Sequence, residues 1–519
     1  MFLVKREDFA VMVVQIKSMG FLGMKAYDIN VETNLSRDIA SFYMVGLPDI
    51  SVKEARDRVH SAIVNCGFEF PKYRIVVNLA PADIKKRGAY YDLPILVSIL
   101  CATGALNRQP DNAAFIGELS LSGEVRPVNG ILPMTIQAKK NGIRQFYVPY
   151  DNASEGAVVE GIDIIPVKHV SELVSHLREK KTIPPMPHTL PAPKDFLYPV
   201  DFSDVKGQSV PKRALEIAAA GSHNVLFIGS PGAGKSMLAK RIPTILPDMT
   251  FDEMIETTKI HSIAGTLSKD SPLMTHRPFR SPHHTISPHG LSGGGSIPHP
   301  GEISLAHNGV LFLDELPEFK RESMEILRQP IEDGAVTISR VNATFTYPCT
   351  IMLIAAMNPC PCGYFGHPNK TCTCSRQSIS RYLSKISGPL LDRLDLHVEV
   401  SPVEFESLSS KQQEESSSAI KERVNAARKI QNDRFSGTGV SCNSRIPDGM
   451  LQKFCPVNDA AAAIMKNAFD KLGLSARAYG RILKVARTIA DMDSSEVIRH
   501  THLLEAIQYR TLDRKYWKN

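Results

Sequence analysis

The sequence predicts an α/β protein organised around a parallel sheet, and three observations carry that expectation. From about Asp201 to Ser401 the pattern strand, glycine turn, helix recurs, as in a parallel sheet covered by helices. Within it, the apolar run Asn224–Ile228 ends in Gly229-Ser230-Pro231-Gly232-Ala233-Gly234-Lys235-Ser236 and passes directly into a helical pattern, Met237–Ile242. About eighty residues further on, Gly309-Val-Leu-Phe-Leu-Asp314-Glu315 reads as a buried strand that ends in two carboxylates.

A chain of 519 residues is too long for one hydrophobic core, so several units are expected. The first, residues 1–182, mixes short strands (Ile75–Leu79, Gln145–Val148, Ile162–Val167) with helical patterns (Val52–Asn65, Val170–Leu177), an α+β composition. Residues 183–200 form a linker, because prolines at 184, 185, 187, 191, 193 and 199 fix φ and remove donors. The α/β core follows over 201–401. Residues 402–519 are mostly helical, with Glu406–Ser418 an exposed helix-loop and Asp459–Asp491 two packed helices.

Bulk properties exclude some classes. The longest apolar stretch, Leu93 to Leu106, is shorter than the ~20 residues of a spanning helix. Lys17 interrupts the apolar run near the N-terminus, and no small-residue cleavage site follows it, so no secretory leader or membrane anchor is expected. Nine cysteines, four of them crowded into fifteen positions, suit a reducing cytoplasm and not a disulfide framework. The net charge of +7 is compatible with a polyanionic partner without requiring one.

The glycine run matches the phosphate-binding pattern G-x-x-x-x-G-K-[ST] in its required strand–helix context. Its backbone N–H groups can face a β-phosphate, Lys235 can reach the β/γ oxygens, and the Ser236 hydroxyl can hold Mg²⁺. Asp314 would join the metal shell, and Glu315 would take the proton of an attacking water. A third strand, Thr350–Met357, ends at Asn358, whose amide would face the γ-phosphate or the water. ATP and Mg²⁺ are therefore the expected cofactors.

Cys360-Pro-Cys362 and Cys372-Thr-Cys374 place four thiols in two close pairs. Two readings stand: a structural Zn²⁺ held by four sulfurs, with His367 a substitute ligand, or reduced cysteines that simply pack. Thr275–Pro300 is polar and rich in histidine, and Ala335–Ser339 with Ala343–Tyr347 reads as a β-hairpin around Val341-Asn342.

Several of these motifs carry a family resemblance. Val205-Lys-Gly-Gln208, then Arg277-Pro-Phe-Arg280-Ser-Pro-His283-His284-Thr285, then Asn358-Pro-Cys-Pro-Cys-Gly363 resemble the Mg-chelatase-like ATPases of the AAA+ class, over almost the whole chain. The resemblance implies a parallel-sheet ATPase with a helical lid. It also implies a homo-oligomeric ring, expected to be a hexamer, with ATP held between subunits and Gln208 beside the nucleotide. Asn358 would be its sensor 1. Gly388-Pro-Leu-Leu-Asp392-Arg393-Leu-Asp395 is similar to the group's arginine-finger segment; the alternative for Arg393 is an ion pair with Asp392 or Asp395. Arg477 would be sensor 2, reaching the γ-phosphate from the lid, with Arg481 one turn on as a competing choice.

Gly117–Gly130 is similar to the proteolytic domain of Lon proteases. Where Lon carries its Ser–Lys dyad, this chain has Ala89-Tyr-Tyr-Asp92 and Ile131-Leu132-Pro133-Met134, so a non-catalytic module is expected. By the resemblance to the Mg-chelatase-like ATPases and their related ring helicases, the histidine-rich insert would line a central channel. Arg280, His283 and His284 in that insert, and Arg340 in the hairpin, are the DNA-contact candidates, against the alternative of a solvated loop. The implied function is an ATP-dependent DNA helicase or translocase acting on single-stranded and branched duplex DNA, as in natural transformation. The alternatives are a chelatase motor or a protein-remodelling ATPase that does not act on DNA.

Overall fold

The computed structural model describes residues 13–106, 110–188, 198–268, 271–295, 298–340, 343–403, 414–472 and 474–517. Two compact units emerge, one of residues 1–194 with 254–274, the other of 195–253 with 275–519. This division departs from the expected one in two ways. The segment Met254–Met274 leaves the α/β core for the N-terminal unit, and the C-terminal helices do not stand apart from the α/β core.

The N-terminal unit is a seven-stranded mixed sheet, in the order Ser41–Val45, Arg74–Ala80, Lys25–Ser36, Val14–Leu22, Ala113–Phe115, Gln145–Pro149, Asp163–Val167. Its helix Asp92–Ala102 is buried along nearly its whole length, which is why it is apolar all round rather than striped. Of the two segments matched to the Lon dyad, Ile131-Leu132-Pro133-Met134 is buried throughout, and in Ala89-Tyr-Tyr-Asp92 the last two residues are buried. Asp92 is sealed under an ion pair with Arg58 (2.6 Å) and accepts the Leu119 N–H. Leu132 is buried, with its N–H on the Glu155 carboxylate at 2.7 Å. Neither site offers a nucleophile and a base in contact.

The second unit holds a five-stranded, all-parallel sheet in the order Phe279–Arg280, Val310–Leu313, Met352–Met357, Val225–Gly229, Leu396–Val400. The three central strands are buried on both faces, so they read as continuous apolar runs. One hydrophobic core joins this sheet to the C-terminal helices: Phe227, Phe312 and Val398 cluster with Val424, Ile482, Ile489 and Leu503. Helices Ser417–Phe435, Ala476–Met492 and His500–Gln508 are therefore part of the sheet's packing. The predicted pair over Asp459–Asp491 is seen as Asp459–Leu472 and Ala476–Met492. Most of the expected exposed segment Glu406–Ser418 lies outside the described residues. Among the described residues, no helix is long and apolar enough to cross a membrane.

Candidate nucleotide site

Because the strands are parallel, the sheet has two chemically different edges. At the carboxyl-terminal edge, Val225–Gly229 runs into the glycine loop and helix Lys235–Arg241. Gly229 must lack a side chain, since a Cβ there would lie 2.3 Å from the Val400 carbonyl oxygen of the adjacent strand. Gly234 (φ +96°) takes the left-handed turn that starts the helix. A Cβ on Gly232 would meet nothing within 4 Å, so the crest of the loop is open.

Within this loop Lys235 Nζ donates to the carbonyls of Gly229 (2.6 Å) and Ser230 (2.9 Å) and to Asn358 Oδ1 (3.0 Å). Burial lowers the proton affinity of the amine, and Asp314 and Glu315 oppose that shift. Ser236 Oγ donates to Asp314 Oδ2 at 2.6 Å, which brings the two expected Mg²⁺ ligands together. Glu315 follows with φ +53°, a left-handed conformation costing a non-glycine residue about 1 kcal/mol, and its side chain is more than half exposed. Gln208, also left-handed, donates from Nε2 to Ala233 O (3.2 Å) and Ser401 O (2.6 Å), tying the preceding segment to the loop. Beside it lies a cleft lined by Gly207, Gln208, Pro402, Tyr509 and Leu512. Sequence reasoning missed Tyr509 and Leu512, because no motif marks them.

Donor chemistry and geometry fit a magnesium nucleotide. An ammonium facing carbonyls and an amide oxygen can exchange them for phosphate oxygens, and a hydroxyl–carboxylate pair is a hard-oxygen donor set.

The amino-terminal edge is built differently. Asn224, Ile351 and Asp395 each immediately precede a strand, and with Glu332, Arg445, Arg477, Arg481 and Lys484 they line a polar cavity. Arg477 is exposed there, at the opposite end of the sheet from the phosphate loop. Within one chain Arg477 thus lies away from the loop that would hold the γ-phosphate. Arg481 is not an equivalent choice, because it is paired with Asp395 at 2.5 Å. Burial would raise the Asp395 carboxyl, but Arg481, His223 and the Asn224 N–H outweigh it and hold the group well below the usual carboxylate range.

Arg393 is buried. Its guanidinium meets Glu332 at 2.6 Å and donates to the carbonyls of Pro389 (2.6 Å) and Arg328 (3.1 Å). The ion pair left open by the sequence thus exists, but with Glu332 and not with Asp392 or Asp395. To act on a phosphate, Arg393 has to leave Glu332.

The candidate DNA contacts are largely engaged inside the chain. Arg280 makes a bidentate pair with Glu302 (2.6 and 2.7 Å), which neutralises its charge. The His283 and His284 rings lie 4.1 Å apart at a tilt of 34°, His283 Nδ1 is 2.9 Å from Thr285 Oγ1, and His284 Nδ1 lies 3.5 Å from Glu315. These residues border the carboxylate of the nucleotide site. Arg340 ends the first strand of the hairpin Ala335–Arg340/Ala343–Pro348, and its side chain lies outside the described residues.

The four clustered cysteines converge, with all sulfurs within 4.8 Å of one another. Cys360 and Cys362 are 3.4 Å apart, and Cys372 is 3.7 and 3.6 Å from them. Four thiolates around one tetrahedral Zn²⁺, with Zn–S of about 2.3 Å, lie about 3.8 Å apart, so the cluster fits that ion. His367 Nδ1 instead accepts the Asn369 N–H at 3.0 Å.

Comparison with known proteins gives a consistent result. Residues 201–408 match the family model described as magnesium chelatase, subunit ChlI; residues 31–152 match subunit ChlI of Mg-chelatase; residues 414–510 match the subunit ChlI C-terminal model. The chain is 44% identical over 500 residues to the uncharacterized protein YifB of Escherichia coli, covering 95% of this chain and 96% of that one. It is 42% identical over 512 residues to competence protein ComM of Haemophilus influenzae, covering 96% and 97%. A weaker match, 28% identical over 170 residues, is to Lon protease of Rhizobium meliloti, covering 31% of this chain and 21% of that protein.

Proposed function

The chain belongs to the Mg-chelatase-like AAA+ family, and from that premise we propose that it is an ATP-hydrolysing ring motor that translocates on or unwinds DNA. The observation that carries the ATPase reading is the contact set Lys235–Asn358 and Ser236–Asp314 at one strand edge, with Glu315 beside it. The DNA reading draws on the 42% identity to a competence protein. Branched duplex and single strands are the proposed substrates, and a hexamer is the proposed assembly.

Magnesium with the triphosphate, when bound, supplies an electrophilic phosphoryl centre with its charge partly neutralised. Ser236 Oγ and Asp314 Oδ2 would hold the metal. Lys235 turns its N–H donors from the Gly229 and Ser230 carbonyls to phosphate oxygens. Glu315 accepts the proton of the attacking water, and Asn358 orients that water through its amide. The adenine fits the cleft between Gln208 and Tyr509–Leu512. Arg477 and Arg393, at the other edge, are proposed to serve the site of a neighbouring subunit. The four-cysteine cluster is proposed to hold a structural Zn²⁺, the ion that four thiolates in tetrahedral array select.

The test measures ATP hydrolysis and strand displacement on forked and four-way DNA with the full-length protein, using Lys235→Ala as the control. DNA-stimulated hydrolysis with ATP-dependent displacement is expected. Hydrolysis indifferent to DNA would overturn the DNA reading and leave the ATPase standing. A second reading, a protein-remodelling ATPase, is favoured by the pairing of Arg280 with Glu302. It is also favoured by the edge strand Ser41–Val45 of the N-terminal unit, where Tyr43 and Val45 are exposed near Leu47 and Ile50.

A further inference from the structure

We propose that the four-cysteine knuckle is a metal-dependent brace on the phosphate loop, so that metal and nucleotide bind cooperatively. This inference rests on the zinc assignment above and gives that ion a function.

Connectivity supplies the first argument. Only Pro359 separates Asn358, whose amide oxygen accepts from Lys235 Nζ, from Cys360, which is wholly buried. Any displacement of the first metal ligand is therefore passed to the residue that faces the phosphate-binding lysine.

Contact supplies the second. The turn that opens the knuckle is closed by Gly363 N–H donating to Cys360 O at 3.0 Å, with Gly363 at φ +84°. A Cβ on Gly363 would sit 2.4 Å from Cδ and 2.7 Å from Cγ of Pro231. The bare glycine thus rests directly against Pro231 of the phosphate loop, and a single added carbon would push one of the two away. The three atoms nearest that position all belong to Pro231, so these two turns meet there.

The third argument is what holds the knuckle in shape. No helix or strand lies between Met357 and Arg376, so the loop carries no backbone ladder of its own. Its organisation comes from the sulfurs. The Cys360 sulfur accepts the Phe365 N–H (3.3 Å). Such an N–H group orients a thiolate toward a shared ion. Closing the two cysteine pairs on one cation removes loop freedom beyond what the local hydrogen bonds and the Phe365–Tyr516 ring contact remove. The Gly363–Pro231 contact then exists as long as the cation does.

Thermodynamic linkage makes this testable from either side. If the metal raises nucleotide affinity by some factor, the nucleotide must raise metal affinity by the same factor. The experiment uses full-length protein purified with Zn²⁺ and determines zinc per chain. A chromophoric chelator then competes for the zinc with and without a non-hydrolysable ATP analogue. One zinc per chain is expected, bound about tenfold more tightly when the analogue is present. The double variant Cys372→Ser/Cys374→Ser, altered away from the phosphate loop, should lose zinc and bind a fluorescent ATP analogue about tenfold more weakly. Gly363→Ala should keep its zinc but lose the coupling, with weak nucleotide binding and a zinc affinity that no longer responds to nucleotide. Zinc bound stoichiometrically but unaffected by nucleotide would overturn the brace while leaving the metal site intact. Purified protein that takes up no zinc would overturn both, and a zinc-loaded chain that fails to bind nucleotide would overturn the motor reading instead.

Discussion

At the carboxyl-terminal edge of the central sheet, the polar groups of the nucleotide site face partners that a nucleotide can displace. Lys235 rests on two loop carbonyls and an amide, Ser236 rests on Asp314, and Glu315 stands half in solvent. At the amino-terminal edge the cations are matched within the chain: Arg393 by Glu332 and two carbonyls, Arg481 by Asp395. Only Arg477, of the two arginines expected to reach phosphate, is exposed there. One edge is thus an open receptor, and the other is an array in which, among the described residues, Arg477 is the exposed guanidinium. A single subunit cannot bring the two together, because the length of the strands separates them. The difference supports the proposal that a neighbouring subunit supplies the arginines, and on that proposal each edge fails in its own way when altered.

The largest effects should come from the receptor edge. Lys235→Ala and Glu315→Gln are expected to reduce hydrolysis to background; the first also weakens nucleotide binding and the second spares it. Steady-state phosphate release together with equilibrium binding separates these outcomes. Wild-type turnover in either purified variant would remove the site assignment.

Next come the arginines. Arg477→Ala and Arg393→Ala are expected to lower kcat by about 10³-fold with nucleotide affinity intact, as for arginines acting in trans. Mixing gives the sharper test. Lys235→Ala subunits keep their arginine edge, and Arg477→Ala subunits keep their receptor edge. Each is inactive alone, yet an equimolar mixture should recover part of the wild-type rate. If no mixture recovers activity while mixed rings form, the two edges do not share a site.

The receptor edge was legible in the sequence because its residues are contiguous and framed by strand and helix signals. Gly229 through Ser236 is one continuous stretch, and Asp314-Glu315 and Asn358 each close an apolar run. The arginine edge was not, because its members meet only through strand order. Asn224, Ile351 and Asp395 are neighbours since three strands lie side by side, and no local pattern shows that Glu332 will meet Arg393. The pairing of Arg280 is hidden for the same reason: its partner Glu302 comes from another segment. Met254–Met274 was assigned to the α/β core on sequence continuity, whereas its packing places it with the N-terminal unit, where Ser262 donates to the buried Glu155. Periodicity reveals a face; it does not reveal what covers that face.

A smaller effect concerns stability. Asp395 is buried, with Arg481, His223 and the Asn224 N–H around it. Asp395→Ala strands Arg481 and should cost about 3 kcal/mol. Because the folded carboxyl is held below its unfolded value near 3.9, its contribution is complete above about pH 4 and fades as pH falls further. Denaturant melts of Asp395→Asn should therefore lose less stability than wild type between about pH 4 and pH 2. Parallel acid limbs would show that the amino edge is not held by this carboxylate.

The smallest effect is the most discriminating for the receptor edge. Gln208 Nε2 bridges Ala233 O, inside the phosphate loop, to Ser401 O, just beyond the strand Leu396–Val400. It touches neither the carboxylates nor Asn358, so its role is to hold the loop against the sheet. Gln208→Ala removes two donated bonds, about 1.4 kcal/mol in all, which corresponds to about a tenfold rise in the KM for ATP. The value of kcat should be nearly unchanged, the reverse of the Arg477→Ala pattern. A fall in kcat at constant KM would mean that Gln208 shapes the transition state and not the resting loop. Binding and turnover would then no longer divide between the two edges of the sheet.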